Sequence, residues 1–575
     1  MKPVRLLFVC LLFFLASSFV WAQDIVPNSL EVLTLFGVNE GDGPKLSLYN
    51  MIVSEKHGCI ILVGQTYEND IPVTENAFQR TRKGYTDGWI AIFDLDCTEL
   101  MYCSYIGGGR GDECMDAVLL NEDHIVLVGT TDSDDFPVTS NASQSRMSGE
   151  QDGWYLIFNL ATREVEYASY YGGNRDDNIL QVLVNTEGQI VISGTSNSAN
   201  LRTTPGVWMG GRMGSQANIY LAVLENHKTV LASYLGETGD FLSSVNNLVE
   251  TPDSYVLLAE TWGPGYPVTE NAFQKEFGGT EDILLLDITK DLRTPKYATY
   301  IGGRGNDWTF AAELCGYYLY FNGGLAHSEG FPYLQPPEEE KSPFLFGLYN
   351  HKSRQIEYLT GWRSVGFGGP LRITDDKFLL AFGTVADTVL GYPLSSVGDT
   401  LEEYKSGLII FDVNTKEFSA PALTVGYPDD WNMIGARAIV QDRVYCSGTT
   451  DIKPDNLSPT AYQSEVLGDT DMQIARFRMT GLPTSVSEAS PVSAEISMYP
   501  LPVRSGQHVK IENLPSKATS VEIYDVLGRM VVTMSPVSGT SKATTINTTN
   551  FPPGMYFLAV RSHDGVQVKK LCVVK

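Results

Sequence analysis

A segment of about 65 residues recurs along most of this sequence and constrains the fold more than any single residue does. Each copy opens on a short phrase of the type Ser-Tyr-Ile-Gly-Gly. The openings begin at Thr34 in a degraded copy, at Ser104, Ser169, Ser233 and Thr299 in clear copies, and near Thr360 and Val425 in faint copies. The clear copies are 65, 64 and 66 residues apart. This periodicity indicates a repeat architecture of about seven repeats.

Two more phrases recur in register with the first. A phrase of the type Pro-Val-Thr-x-Asn-Ala ends at Gln79, Gln144 and Gln274. An aspartate then opens an apolar run in four repeats, as Asp87, Asp152, Asp282 and Asp471. Because the phrases keep their order, each repeat is predicted to be one structural unit.

Four short runs rich in Val, Ile, Leu, Tyr and Phe are separated by Gly, Asp, Asn and Ser in the repeat that begins at Ser104. They predict the strands Met115–Leu120, His124–Gly129, Gly153–Asn159 and Glu164–Tyr171. The Pro-Val-Thr phrase falls between the second and third strands, where we expect an ordered loop or a brief helical turn. The pattern predicts an all-β chain with a β-propeller of about seven four-stranded blades.

The two ends of the repeat region complement each other. The last repeat has strand-like runs at Arg443–Gly448 and Gln473–Met479 but lacks a fourth strand, whereas Ser29–Phe36 resembles a fourth strand that precedes the first repeat. We therefore predict that one blade contains strands from both ends. Deleting residues 24–36 should then lower the melting temperature sharply, and an unchanged melting curve would contradict the prediction.

The N-terminus has the pattern of a secretory signal peptide over residues 1–22. Lys2 and Arg5 precede the apolar run Leu6–Phe14, and small residues before the junction predict cleavage between Ala22 and Gln23. The apolar run is too short to span a bilayer, so we expect an exported protein with no transmembrane segment.

The formal net charge of −27 argues against nucleic acid as a partner, because phosphate binding needs a basic face. Seven cysteines follow the predicted cleavage site, without a C-x-x-C pair, so a zinc site is not expected. Two disulfides are conceivable, Cys97 with Cys103 and Cys59 with Cys114. Free buried thiols are the alternative.

The composition changes after a Ser/Pro/Thr-rich linker at residues 481–494. Residues 494–575 contain nine Lys or Arg against five Asp or Glu, although the chain as a whole is acidic. This change of sign and a series of short strand-like runs predict a separate β-sandwich of about 80 residues. The predicted domains are therefore residues 1–22, 23–480, 481–494 and 495–575.

The repeat, over roughly residues 34–480, resembles the bacterial SBBP β-propeller repeat family, which implies a propeller in a secreted or surface protein but no particular reaction. The last 80 residues resemble the C-terminal sorting domain of the type IX secretion system of Bacteroidota. The motif residues that carry this second resemblance are Tyr499, Pro500, Pro502, Asp525, Gly528, Arg529, Gly554, Tyr556, Lys569 and Lys570. Leu501 stands where that family usually has Asn. The resemblance implies the type IX secretion machinery as a partner, and delivery to the outer-membrane surface or the extracellular space.

No residue pattern singles out an active site. The aspartates that recur at the third strands are better explained as turn structure than as a carboxylate ring or metal sites, and the same holds for those after the glycine phrase, Asp112, Asp176, Asp240 and Asp307. The acidic loop at residues 132–135 lacks the spacing of a calcium loop. The tryptophans Trp154, Trp262, Trp308, Trp362 and Trp431 could line a sugar-binding face, but core packing is the favoured explanation. No cofactor, metal or catalytic residue is predicted.

The leading hypothesis is a non-enzymatic, surface-displayed propeller that binds a macromolecule or a glycan. The alternative is an exported, glycan-directed hydrolase with an active site at the channel mouth, and a structural part of the surface layer is a third possibility. The hydrolase would be sought where later repeats break the pattern, namely at Trp308, His327, Glu329, Glu338–Glu340 and Arg363.

Overall fold

The computed structural model describes residues 26–36, 46–212, 214, 216–236, 243–326, 328–335 and 344–362, and shorter segments within 366–480 and 497–574. The chain divides into two compact units, Met1–Leu482 and Pro483–Lys575. Every regular element among the described residues is a β-strand, which confirms the all-β prediction. The predicted signal peptide, with Ala22 and Gln23, lies outside the described residues. In the described part of the chain, no helix has the length and apolar character needed to cross a bilayer.

The N-terminal unit begins with strand β1 (Val26–Phe36) and continues with five sheets of four antiparallel strands, in which neighbours along the chain are neighbours in the sheet. Sheet 1 contains β2 (Leu46–Ser54), β3 (Cys59–Thr66), β4 (Asp87–Asp94) and β5 (Leu100–Ile106); sheet 2 contains β6 (Asp112–Leu119), β7 (His124–Thr131), β8 (Asp152–Asn159) and β9 (Glu164–Tyr171); sheet 3 contains β10 (Asp177–Val184), β11 (Ile190–Ser196), β12 (Asn218–Glu225) and β13 (Lys228–Tyr234). Sheet 4 contains β14 (Ser243–Glu250), β15 (Ser254–Thr261), β16 (Asp282–Thr289) and β17 (Pro295–Ile301), and sheet 5 contains β18 (Asn306–Cys315), β19 (Tyr318–Ala326), β20 (Phe344–Asn350) and β21 (Gln355–Trp362).

Sheet 6 is less regular because its first and fourth positions are each split into two short strands. Its first position consists of β22 (Gly366–Phe367) and β23 (Leu371–Thr374), its central strands are β24 (Lys377–Thr384) and β27 (Lys405–Asp412), and its fourth position consists of β28 (Glu417–Phe418) and β29 (Ala422–Gly426). A separate hairpin is formed by β25 (Thr388–Val389) and β26 (Tyr392–Pro393). Sheet 7 contains β30 (Gly435–Val440), β31 (Arg443–Thr450) and β32 (Asp471–Thr480).

The fourth strand of sheet 7 is β1, from the other end of the unit. It pairs antiparallel with β32, from Val26 opposite Thr480 to Phe36 opposite Met472. The prediction that a single sheet contains strands from both ends of the repeat region is therefore confirmed. Without β1, the strand β32 would be an unpaired edge of sheet 7, because the described part of the last repeat contains no fourth strand of its own.

The first strands of the seven sheets contact one another in series. β2 contacts β6, β6 contacts β10, and the contacts continue through β14, β18 and β23 to β30, which contacts β2. In three of these strands, the residue after a β-bulge has a polar side chain that hydrogen bonds to the first strand of a neighbouring sheet. Asn50 Nδ2 donates to Asp116 Oδ1 at 2.6 Å, Asp116 Oδ2 accepts from Val182 N at 2.8 Å, and Asn247 Oδ1 accepts from Ala312 N at 2.9 Å.

Successive residues of a central strand pack against different neighbouring sheets, because side chains alternate between the two faces of a strand. In β3, Ile60 and Leu62 belong to a core that includes Tyr445 of sheet 7, whereas Ile61 and Val63 belong to a core shared with sheet 2. Both faces of the sheet are covered, which explains why central strands are apolar throughout rather than at alternate positions.

Four of the cysteines, Cys59, Cys97, Cys103 and Cys114, are free thiols buried in these cores. This agrees with the second alternative, buried thiols rather than disulfides. Burial raises the pKa of all four thiols, so they remain protonated at neutral pH.

The C-terminal unit contains two sheets. Its strands are β33 (Ser497–Tyr499), β34 (Val503–Arg504), β35 (His508–Glu512), β36 (Ala518–Asp525), β37 (Met530–Met534), β38 (Thr544–Asn547), β39 (Gly554–Ser562) and β40 (Gly565–Val574). One sheet has the order β33-β35-β38 and the other β34-β40-β39-β36-β37, with β34 and β40 parallel. Val509 and Ile546 of the smaller sheet share one apolar core with Val521 and Leu558 of the larger sheet.

Candidate functional site

The aspartates that begin the third strands are buried structural groups. Asp87 is fully buried and accepts hydrogen bonds from the backbone N–H groups of Lys83 and Gly84, at 3.0 Å each, and from Gln79 Nε2 at 2.7 Å. Gln79 Oε1 in turn accepts from Gly107 N at 3.0 Å. Asp87 and Gln79 thus join the long loop at residues 67–86 to the glycine connection that leads into sheet 2.

The same arrangement recurs in two other repeats. Asp152 accepts from Gln144 Nε2 at 2.7 Å, and Asp282 accepts from Gln274 Nε2 at 3.3 Å and from Gly278 N at 2.7 Å. The prediction that these residues serve turn structure is confirmed for Asp87, Asp152 and Asp282. Asp471 begins β32, but its side chain lies outside the described part of the structure.

A second buried aspartate follows the glycine connection in three of the described repeats. Asp112 accepts from Gly108 N at 2.7 Å and from Ser133 Oγ at 2.9 Å, and Asp307 accepts from Gly303 N at 2.7 Å. The prediction for Asp176 is wrong, because Asp176 is exposed and its neighbour Asp177 is the buried residue that caps the connection. Asp240 lies outside the described residues.

Burial raises the pKa of these carboxyl groups. It brings the pKa of Asp112, Asp152 and Asp307 to about 6, and that of Asp282 to about 7. Hydrogen bonds from side-chain hydroxyl groups and from backbone N–H groups oppose the shift without cancelling it. Because burial holds these pKa values above the ordinary value of 3.8, ionising the carboxyl groups costs more in the folded state than in the unfolded state. The stability associated with the protonated groups is therefore fully present below about pH 4 and is lost progressively as the pH rises from there to about 7.

The loops of sheets 1, 2 and 3 leave an open cleft of about 740 Å³ between them. The cleft is lined by Tyr85, Gly109, Arg110, Asp132, Glu150, Gln151 and Asp176. These residues lie just before a third strand, just after a second strand, or in the connection from one sheet to the next. We call this end of the sheets the loop end, and the opposite end, with its short hairpin turns, the turn end.

Backbone hydrogen bonds hold the lining of the cleft in place. Asp112 N donates to Thr86 O at 3.0 Å, Asp132 N donates to Gly111 O at 2.8 Å, and Asp177 N donates to Gln151 O at 2.9 Å. Each bond ties a sheet to the loop of the preceding sheet or to its own connection. The exposed side chains of the cleft therefore project from a fixed backbone, which lowers the entropy cost of binding.

Tyr85 is the most exposed aromatic residue of the cleft, with 64% of its surface accessible. Its ring lies against the backbone of Gly111, where a Cβ atom would come within 2.8 Å of the Tyr85 hydroxyl oxygen and 3.0 Å of the ring carbons. Glycine is required at position 111 for this close approach. Burial, followed by the carboxylates of Asp132 and Glu113, raises the pKa of Tyr85, so the phenol stays protonated and can donate a hydrogen bond.

The charged groups of the cleft are three carboxylates and one guanidinium. Asp132 Oδ1 accepts from Gln151 Nε2 at 2.9 Å, so Gln151 fixes the position of this carboxylate. Arg110, Glu150 and Asp176 complete the charged lining. The cleft thus combines hydrogen-bond donors and acceptors around an exposed aromatic ring.

A second polar feature lies at the loop end of sheet 4. Glu260 and Glu281 are 8% and 7% exposed, and their carboxyl groups hydrogen bond to each other. Glu260 Oε1 also accepts from Thr309 N at 3.0 Å. Burial raises the pKa of Glu260 to about 7, and the Glu281 carboxylate adds to the shift.

Sequence reasoning missed this glutamate pair. The sequence did contain an indication, namely that a glutamate replaces a neutral polar residue in the fourth repeat. Sheets 1, 2 and 3 have Gln65, Thr130 and Thr195 at the position of Glu260, one residue before the end of the second strand. The fourth repeat otherwise follows the common pattern closely, and its two glutamates are 21 residues apart in the chain. Only the pairing of strands brings them together.

The other candidates from the sequence do not form a site. Trp154 is fully buried in the core, as predicted, and Trp308 packs against Phe310. Glu329 is exposed, while His327, Glu338–Glu340 and Arg363 lie outside the described residues. In the acidic loop, Asp135 Oδ1 accepts from Gly109 N at 2.6 Å. Among the described residues, no group of three or more His, Cys, Asp or Glu side chains could hold a metal ion.

The predicted sorting motif is spread over both sheets of the C-terminal unit. Tyr499 ends β33, Asp525 ends β36, Gly554 begins β39, and Lys569 and Lys570 lie in β40. The motif tyrosine at position 556 is buried and its ring lies 5.0 Å from that of Phe551. The motif residues Pro500, Pro502, Gly528 and Arg529 lie outside the described residues.

Comparison with protein families identifies the C-terminal unit. Residues 497–574 match the family described as the secretion system C-terminal sorting domain. This domain marks proteins that the type IX secretion system exports to the cell surface or the extracellular space, so the predicted localisation is confirmed. No curated protein matches the chain.

Solved structures offer only distant likenesses. A protein of unknown function from Dyadobacter fermentans is 12% identical, with 66% of this chain and 98% of that chain covered and a TM-score of 0.36. An acylaminoacyl peptidase from Pyrococcus horikoshii is 10% identical, with 81% and 57% covered and a TM-score of 0.36. A fungal alcohol oxidase of the AA5 family, in complex with copper, is 13% identical, with 80% and 97% covered and a TM-score of 0.28. At these TM-scores the likenesses carry no argument about this protein.

Proposed function

We propose that this protein is an exported, non-enzymatic binding protein in which a seven-bladed β-propeller of SBBP-like repeats presents a ligand site at its loop end. The domains would be a signal peptide at residues 1–22, the propeller at 23–480, a linker at 481–494 and a sorting β-sandwich at 495–575. Two observations support a closed ring of blades. The first strands contact one another in series from β2 back to β2, and β1 completes sheet 7.

The observation that carries the binding role is the cleft between sheets 1, 2 and 3. Its backbone is held by the buried aspartates and by hydrogen bonds between loops, while Tyr85, Arg110, Glu150 and Asp176 are left on its surface. A fixed backbone under exposed polar and aromatic side chains is typical of recognition sites. Binding sites are also commonly found on loops that a rigid scaffold positions.

The C-terminal unit supports the proposal that the protein is exported. The type IX machinery would recognise the sorting domain as a folded unit of two sheets, with the motif residues at strand ends and turns. The machinery would then remove it, leaving the propeller attached to the surface or released. The binding site and the sorting signal therefore lie in separate units of the chain.

The binding role can be tested with the full mature chain on an array that displays saccharides and peptides. We expect at least one ligand whose binding is lost in Arg110→Ala combined with Glu150→Ala. A matched control is Tyr317→Ala, because Tyr317 is 53% exposed and lies in the hairpin turn between β18 and β19, at the turn end. The proposal fails if every ligand found binds the cleft variant and the wild type equally well.

A second candidate function is hydrolysis through Glu260 and Glu281, which share a hydrogen bond and have raised pKa values. Such a pair can hold one proton between two carboxyl groups and act as an acid and a base. Glycosidases, by contrast, hold their two carboxyl groups roughly 5–10 Å apart, on either side of the scissile bond. Hydrolysis of glycan or peptide substrates that disappears in Glu260→Gln would favour this candidate over simple binding.

A further inference from the structure

We propose that the cleft at the loop end of sheets 1, 2 and 3 binds a saccharide, with Tyr85 as the platform on which one sugar ring stacks. This inference rests on the proposed function, since it names the ligand class for the same cleft. Its two supports are the placement of Tyr85 and the mixture of polar groups around it.

The exposed ring of Tyr85 is fixed on one side only. The Gly111 backbone lies against the ring, and the bridge between Thr86 and Gly111 holds the two segments together. The remaining 64% of the residue faces solvent. The free face of such an aromatic ring carries partial negative charge. The C–H groups on the apolar side of a pyranose can therefore stack against it.

The polar groups of the cleft fit hydroxyl groups. A hydroxyl donates one hydrogen bond and accepts others, so a row of hydroxyls needs both kinds of partner. Asp132, Glu150 and Asp176 supply acceptors, while the Arg110 guanidinium and the Tyr85 phenol supply donors. This mixture can bind neighbouring hydroxyls with charge-assisted hydrogen bonds.

The size and openness of the cleft point to part of a larger chain. Pockets that enclose small ligands have volumes of roughly 300–1,000 Å³, and the cleft of about 740 Å³ falls in that range. The cleft is open to solvent, so a sugar chain can enter without threading. We therefore assign it to one or two residues of an oligosaccharide or polysaccharide.

The main competitor is a cationic peptide, which three carboxylates and an exposed tyrosine would also attract. Arg110 lies in the same cleft and repels a lysine or arginine side chain, whereas it can donate to a sugar hydroxyl. Salt distinguishes the two ligands. Attraction of a cationic peptide weakens steeply as salt screens the charges, but sugar stacking and hydroxyl hydrogen bonds change little.

The test is calorimetric titration of the full mature chain with neutral hexasaccharides of several linkages and with a lysine-rich peptide, at low and high salt. For a bound hexasaccharide we expect Tyr85→Ala to weaken affinity at least about 10-fold and Tyr85→Phe to retain it within about 3-fold, because the phenyl ring still stacks. Tyr317→Ala should leave it unchanged. Melting curves of all variants check that the chain still folds.

The outcomes separate the inference from the function on which it rests. Peptide binding that depends on Tyr85, without saccharide binding, overturns the inference and leaves a binding cleft in place. Saccharide binding that is equal in wild type and Tyr85→Ala overturns the assignment of the platform. If no hexasaccharide binds at all and the array finds no ligand sensitive to the cleft, both the inference and the proposed function fail.

Discussion

Phe36 offers the sharpest test of how the N-terminal strand is anchored. It is the last residue of β1, is fully buried, and lies opposite Met472 of β32. Its ring lies 5.7 Å from the ring of Trp89 and 5.4 Å from that of Phe93, with a perpendicular arrangement in the second case. Both partners belong to β4, so Phe36 fastens the edge strand of sheet 7 to sheet 1.

Truncation of Phe36 to alanine should remove these contacts and leave a cavity between the two sheets. Buried Phe→Ala substitutions cost about 3–5 kcal/mol, which includes the loss of the aromatic pairs at roughly 0.5–1.5 kcal/mol each. Urea unfolding followed by tryptophan fluorescence measures the change, and Trp89 reports on the site directly. Hydrogen exchange in β32 should also rise, since β1 protects its edge.

Phe78→Ala is the matched control, because Phe78 is 39% exposed on the long loop of sheet 1. An exposed truncation of this kind changes stability by no more than about 0.5 kcal/mol. Equal effects of the two substitutions would refute the anchoring role of β1. Deleting residues 24–36 should destabilise the N-terminal unit further than Phe36→Ala does.

Three other predictions follow from the described contacts. Because burial raises the pKa of Asp282 to about 7, the melting temperature should fall as the pH rises from 5 to 8. Asp282→Asn should reduce this dependence because the amide does not titrate. The matching position of sheet 3 accepts asparagine, since it is occupied by the buried Asn218. Gly111→Ala should displace the Tyr85 ring and weaken ligand binding while leaving the melting temperature within about 2 °C of wild type. Arg476→Ala should destabilise the chain by about 1–3 kcal/mol in urea unfolding, because Nη1 of this nearly buried residue donates at 2.7 Å to a backbone carbonyl of sheet 1.

The sequence predicted the sheets well because the repeats reinforce one another. Four runs in one repeat were enough to locate strands, and the strand Glu164–Tyr171 has the predicted bounds. The first strand of that repeat begins at Asp112 rather than Met115. A bulge between Cys114 and Asp116 interrupts the alternation of side chains there, so the pattern hides the start of the strand.

The candidate site was not predictable in the same way. The cleft joins Tyr85, Glu150 and Asp176, which come from three successive repeats and share no motif. Asp176 and Asp177 are adjacent in the chain, and only the register of β10 decides that one is buried and the other lines the cleft. Repeats predict what the sheets have in common, whereas binding depends on the residues in which the sheets differ.

We propose that the pairing of β1 with β32 closes a ring of sheets whose loop end carries the cleft. Cysteine pairs placed at Leu33 with Ala475, and at Thr34 with Ile474, test it directly, because these residues lie opposite each other in the register. Under oxidising conditions we expect a disulfide in at least one pair, since alternate pairs in an antiparallel ladder differ in spacing. Peptide mapping should find it. The control pair Leu33 with Gln473 is two residues out of register and should not link. Equal linkage of control and test pairs, or no linkage at all, would contradict the claim.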